Sequence, residues 1–356
     1  MSDNNRGFCV ILGTGGTIAG RAARAGDNVG YVAGQVRVED LLGGVPALQG
    51  SPLEVEQVDQ VDSKDMHFGL WKRLLLRLSH HLARDEVAGV VVTHGTDTLE
   101  ETAFFIQTVL QPRKPVVFTC AMRPATALVP DGPQNLLDAV TVAGHPEVGG
   151  CVVVCAGLVH APEHLTKVHS YRVDAFDSGD AGPMACVEEG EVRWFHPPAS
   201  RPIAERSEAL LARVLRADAL PRVQLVTSHA DADGSIVRAL LQADPALRPQ
   251  GIVVAATGNG TVHQSLASAL SEAMARGVRV VVAPVDRDVQ HAQQPARGVE
   301  DRCGAAGEKG VAVEVVFAAV HHHGPAVGQR GADGIGATPL LVPDGAGPQG
   351  HAPGAV

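Results

Sequence analysis

Aromatic residues make up only 3% of the 356 residues. No Lys/Arg-rich run occurs, no two cysteines stand at C-x-x-C spacing, and no apolar stretch nears the roughly 20 residues that a membrane helix needs. Without a basic run, and with a formal net charge of −10, the chain lacks the cationic stripe that would follow phosphates, so nucleic acid is excluded as a partner. The missing apolar span excludes a membrane in the same way. The start, MSDNNRGFCVILGTGGTIAG, places polar residues before a short apolar run that breaks at glycines, unlike a secretory leader, and a cytoplasmic location follows. The cysteines, Cys9, Cys120, Cys151, Cys155, Cys186 and Cys303, lie mostly within apolar runs and read as inert core thiols. A metal site would need a second locus of His or Cys partners, so no metal is expected, and the histidines at 321–323 lie in an irregular tail.

What is abundant is small and aliphatic: 45% of residues are apolar, dominated by Val, Ala and Leu, and glycine numbers 40. That mix suits a mostly parallel sheet covered by helices, so the fold class is α/β. Apolar runs at 8–12, 87–92, 115–119 and 151–156 each end in a glycine or small polar residue, a series of βα units. Helix-period patterns cover 66–82 and 98–110, the latter opening with Thr98 and Glu101 as a capping box. Three prolines in WFHPPASRPIAE mark a linker, and a second set of strands at 223–227, 252–256 and 278–283 follows, with helices near 235–242 and 262–276. The expected organisation is a large N-terminal catalytic domain over 1–195, a linker over 196–218, a smaller α/β domain over 219–289 and an irregular tail over 290–356.

Chemistry in such sheets gathers outside the carboxyl ends of strands. The first strand ends in Gly13-Thr14-Gly15-Gly16-Thr17, which lacks the third glycine of a dinucleotide fingerprint and lets Thr17 project a hydroxyl from a glycine-rich loop. Another opens into His94-Gly95-Thr96-Asp97-Thr98, where Asp97 or Thr98 serves either as a helix cap or as part of a reactive group. A hydroxyl attacks an amide only when a base takes its proton, and Thr96, Asp97 and Lys167 supply that combination, unless Lys167 is a surface lysine.

These residues resemble the bacterial-type L-asparaginase and glutaminase-asparaginase family. Thr14-Gly15-Gly16-Thr17-Ile18-Ala19-Gly20 and Val92-Thr93-His94-Gly95-Thr96-Asp97-Thr98-Leu99-Glu100-Glu101-Thr102-Ala103 carry the match, extended by Asp62-Ser63-Lys64-Asp65-Met66, Ala121-Met122-Arg123-Pro124 and Gly258-Asn259-Gly260. The resemblance implies an amidohydrolase that turns L-asparagine into L-aspartate and ammonia, with a side activity on L-glutamine and no cofactor. It also implies a homo-oligomer built as a dimer of dimers, with sites formed between subunits. Thr17 is implied as nucleophile, with Tyr31 polarising its hydroxyl on a closing loop. Lys167 is implied as base, Thr96 as holder of the water and Asp97 as acceptor of the substrate ammonium. Ser63, Lys64, Thr96, Asp97 and Ala121 are implied to bind substrate, with backbone N–H groups at 16–18 and 95–96 as oxyanion donors.

Three departures accompany the match. Lys64 stands where many relatives carry Gln, Thr261 replaces an asparagine after Gly260, and the motif resemblance stops after Val282, leaving Glu300 as the nearest candidate for an acid donated by a neighbouring subunit. The abnormal C-terminus keeps a rival open, a catalytically impaired paralogue or regulatory amino-acid-binding protein. A related amidase subunit acting on tRNA-bound glutamate would need an extra N-terminal domain and a basic surface that the sequence does not display.

Overall fold

The computed structural model describes residues 7–24, 26–196 and 206–284; the tail at 290–356, with Glu300 and Cys303, lies outside them. Eight strands form the large sheet: β1 (Phe8–Gly15), β2 (Leu53–Val61), β3 (Val87–Thr93), β4 (Val116–Thr119), β5 (Cys151–Cys155), β6 (Leu158–His160), β7 (Ala185–Glu188) and β8 (Glu191–Trp194). Their order is β8-β7-β6-β5-β4-β3-β1-β2. The five from β5 to β2 run parallel, and β6 to β8 are appended antiparallel.

Successive residues of β1 explain why both faces are covered. Val10 and Leu12 enter one core and Cys9 and Ile11 the other, the period-two pattern of a strand buried on both sides. On the first face lie α2 (Phe68–Leu82), α3 (Leu99–Leu110) and α5 (Arg206–Arg216), whose Leu75, Ile106 and Val214 share one cluster. On the second lie α1 (Val38–Gly43) and α4 (Gly132–Ala143), through Val38, Leu136 and Val142. Cys9, buried in the second core, has its thiol pushed up to about 11 by that burial, which keeps it protonated and unreactive. The stretch assigned to a linker differs from expectation: α5 lies within 196–218 and packs its leucines and Val214 against the large core.

A separate parallel sheet of β9 (Val223–Thr227), β10 (Gly251–Ala256) and β11 (Arg279–Pro284) follows. Helices α6 (Ser235–Gln242) and α7 (Gln264–Ala275) cover it through Val237, Leu241, Leu266 and Leu270. No described helix is long and apolar enough to cross a membrane.

The sheet order dictates where a ligand would sit. From β1 the chain crosses to β2 on one side, whereas β3, β4 and β5 build outward on the other. Winding therefore reverses between β1 and β3, and their carboxyl ends flank the crevice that open α/β sheets use for binding.

Candidate active site

Three loops leave adjacent strand ends at this reversal. β1 delivers Gly15 and Gly16, at φ 107° and 81°, values that favour glycine. A Cβ on Gly16 would stand 2.3 Å from the Gly95 Cα, and one on Gly95 would stand 2.5 Å from the Ser63 Oγ. The loops after β1 and β3 thus meet backbone to backbone, with the Ser63 side chain of the loop after β2 against Gly95, and side chains at these glycines would force them apart.

Thr17 follows in a short 3-10 turn, 6% exposed. Its Oγ1 lies 2.7 Å from the Tyr31 hydroxyl. Tyr31 is brought there by a two-stranded ribbon pairing Arg21–Ala22 with Tyr31–Val32. On the neighbouring loop Thr96 is also 6% exposed. Lys167 reaches it from another ribbon, Thr166–Lys167 against Phe176–Asp177. The Lys167 Nζ donates to the Thr96 Oγ1 at 2.9 Å and to the Asp97 Oδ1 at 2.7 Å. The alternative of a surface lysine is therefore replaced by a lysine held between a hydroxyl and a carboxylate.

Ser63 is 2% exposed and sits at the centre of the junction. Its Oγ accepts the Asp97 N–H at 3.1 Å, and its carbonyl accepts the Thr98 hydroxyl at 2.8 Å. The second bond corrects the capping-box expectation: Thr98 is the N-cap of α3 but makes no side-chain cap bond, because its hydroxyl instead ties α3 to the Ser63 loop. A further correction concerns the oxyanion donors. The Gly16 N–H is already given to the Val61 carbonyl at 2.8 Å, since the β1–β2 pairing continues into the turn.

Two other expected residues are placed less directly. Lys64 turns its ammonium onto Asp65, with Asp62 at 3.5 Å. The methyl of Ala121 is wholly buried against Ile18 and Ala19, so only its backbone is left to meet a ligand. That backbone is fixed nearby: Asn135 donates to the Cys120 carbonyl at 3.0 Å, and Asp131 accepts the N–H groups of Met122 and Arg123.

Sequence reasoning assigned no role to Glu100 or His94. Glu100, in the first turn of α3, accepts the Lys167 main-chain N–H at 2.6 Å; an acid at a helix start reads as a dipole partner, which hides such a contact. His94 is fully buried and donates through Nδ1 to the Gly95 carbonyl at 2.7 Å. Burial pulls its pKa down from 6.5 to about 4, so the ring is neutral and orients the peptide that precedes Thr96.

This shift has a measurable consequence. Between pH 6.5 and 4 the unfolded chain takes up a proton at this histidine while the folded chain does not, so folding stability falls as pH drops through that window, by about 3 kcal/mol in total. Burial raises the pKa of Glu100, Glu101 and Asp138, an effect of opposite sign. It persists in a His94→Asn variant. Denaturant titrations at several pH values are expected to show less acid destabilisation in His94→Asn than in the parent, and equal loss in both would contradict this account.

Comparison with known proteins places these features in a family. The Asparaginase, N-terminal model matches residues 9–200, and the Glutaminase/Asparaginase C-terminal domain model matches residues 222–293. The second match runs beyond Val282, where the motif resemblance was expected to stop. A "Glutaminase-asparaginase" of Pseudomonas fluorescens biotype A is 36% identical over 275 residues, covering 76% of this chain and 74% of that protein. "L-asparaginase 2" of Bacillus subtilis strain 168 is 35% identical over 274 residues, covering 76% and 71%. The crystal structure of a "Probable Cytoplasmic L-asparaginase" from Campylobacter jejuni superposes with a TM-score of 0.70 at 33% identity, covering 79% of this chain and 84% of that one. The chain is an enzyme of the asparaginase family.

Proposed function

We propose that the protein hydrolyses the side-chain amide of L-asparagine to L-aspartate and ammonia through a threonine nucleophile, with a lesser activity on L-glutamine and without metal or organic cofactor. The observation that carries this reading is the three-way contact of the Lys167 ammonium with Thr96 and Asp97, beside a loop whose Gly16 lies against Gly95 and whose next residue, Thr17, pairs its hydroxyl with Tyr31.

In the first half-reaction the Thr17 Oγ attacks the amide carbon, the C–N bond breaks, and the hydroxyl proton ends on the departing ammonia. Tyr31, at 2.7 Å, receives and returns that proton. Negative charge gathers on the amide oxygen as the bond forms, and backbone N–H groups of Thr17, Ile18 and Thr96 are the donors suited to it. In the second half-reaction water held by Thr96 adds to the ester, its proton passes through the Lys167 group to the Thr17 Oγ1 as the ester C–O bond breaks, and aspartate leaves. Asp97 takes the substrate ammonium, while Ser63, Lys64 and the Ala121 backbone serve the carboxylate end.

The wider reading keeps the domain limits at 1–195, 196–218 and 219–289, with α5 lying inside the middle segment. A dimer of dimers follows from the family resemblance. A cytoplasmic location is supported by the free, buried cysteines among the described residues and by the neighbour named as cytoplasmic.

Ammonia release by purified protein from asparagine, glutamine and buffer alone tests the reading. Turnover of asparagine is expected, with a smaller rate on glutamine. No turnover of either amide would overturn it in favour of an impaired paralogue or a regulatory binder. Lys64→Gln is expected to raise KM by up to about fivefold with little change in kcat, because an exposed ammonium already paired with Asp62 and Asp65 is screened by solvent. A fall in kcat larger than the rise in KM would remove Lys64 from the binding role.

A further inference from the structure

We propose that Glu100 is a positioning residue that holds Lys167 in reach of Thr96 and Asp97. This rests on the reading above, in which Lys167 moves a proton during turnover.

The ribbon carrying Lys167 is slight: Thr166–Lys167 pairs with Phe176–Asp177 over two residues on each side. Such a ribbon is marginal without outside anchoring. Glu100 supplies an anchor across 67 positions of sequence, its Oε2 accepting the Lys167 main-chain N–H at 2.6 Å. The same short stretch of chain that offers Thr96 and Asp97 to the lysine side chain therefore also grips its backbone. With both ends of Lys167 held by residues 96–100, the ammonium has a fixed distance to the Thr96 hydroxyl.

The carboxylate is placed against its own solvation. An acid in the first turn of a helix is stabilised by the dipole while facing water, yet Glu100 is drawn inward and burial raises its pKa. Glu101 beside it adds like charge, and Lys167 partly offsets both. Helix formation alone does not call for that burial, whereas fixing the main chain at Lys167 does.

The test compares Glu100→Ala, Glu100→Gln, Lys167→Met and the Glu100→Ala/Lys167→Met double variant. Glu100→Ala removes the acceptor and is expected to lower kcat by about 10- to 100-fold, since small misplacement of a catalytic group has effects of that order, with KM changed by less than about threefold. Glu100→Gln keeps an oxygen at the same reach and is expected to stay within about threefold of the parent kcat. In the Lys167→Met background Glu100→Ala is expected to add nothing, because the two residues act as one unit. A crystal structure of Glu100→Ala is expected to show the Lys167 Nζ out of hydrogen-bond reach of the Thr96 Oγ1.

Parent-like kcat in Glu100→Ala, equal loss in Glu100→Gln and Glu100→Ala, or a full additional loss in the double variant would overturn the proposal. So would a Glu100→Ala crystal structure that retains the Lys167–Thr96 contact. That last readout needs no turnover. A parent protein without activity would thus sink the proposed function, while the displaced or retained lysine would still decide the role of Glu100.

Discussion

Thr17→Ala is expected to lose about 1,000-fold or more in kcat on asparagine while still binding L-aspartate with near-parental affinity. The size of the loss follows from removing the atom that forms the covalent bond, for which no neighbouring group substitutes at the same position. Binding is expected to survive because the contacts proposed for the ammonium and carboxylate of the ligand belong to other loops, those of Asp97 and Ser63, which are tied together by the bond from the Asp97 N–H to the Ser63 Oγ. The hydroxyl acts on the transition state far more than on the bound ground state. Stopped assays for ammonia and calorimetry with aspartate separate the two effects. An unchanged kcat would refute the role of Thr17, and a parallel loss of aspartate binding would show that the substitution disturbs the loop itself.

Lys167→Met comes next in expected effect, a fall in kcat of about 100- to 10,000-fold, the range found for loss of a positioned acid or base. The substitution keeps the apolar stem and removes the ammonium that joins Thr96 to Asp97. Little stability should go with it. Asp97 is 53% exposed as a side chain, and ion pairs in such settings contribute about 0–1 kcal/mol. Thermal unfolding close to that of the parent, together with the kinetic loss, is the expected pair of results. Loss of fold instead would mark the lysine as a structural tie.

In the large sheet β1, β3, β4 and β5 were readable because each is a short apolar run covered on both faces. β9 occupies 223–227 as expected, and α6 occupies 235–242. β2 escaped notice because its residues are nearly all half-buried and polar ones interrupt its alternation, as edge strands permit. Helix α5 was obscured by the prolines just before it, although its leucines follow the helical period and join the large core. At the site, the motif strings pointed to Thr17, Thr96 and Lys167 separately, but nothing local in the sequence sets the approach of Gly16 to Gly95. That approach depends on β1 and β3 pairing in register, Gly13 beside Thr93. Thr98 misled for a related reason: its hydroxyl had two partners within reach, and the long-range one at Ser63 prevails over the local cap.

The central claim is that two hydroxyl-bearing loops meet so that Thr17 attacks and the Lys167 group completes the reaction. Acid-quenching the protein during turnover of asparagine, followed by mass spectrometry of its peptides, addresses it most directly. The account predicts an aspartyl ester on the peptide containing Thr17, absent in Thr17→Ala. An ester on the peptide containing Thr96, or ammonia release with Thr17→Ala at the parental rate, would contradict it.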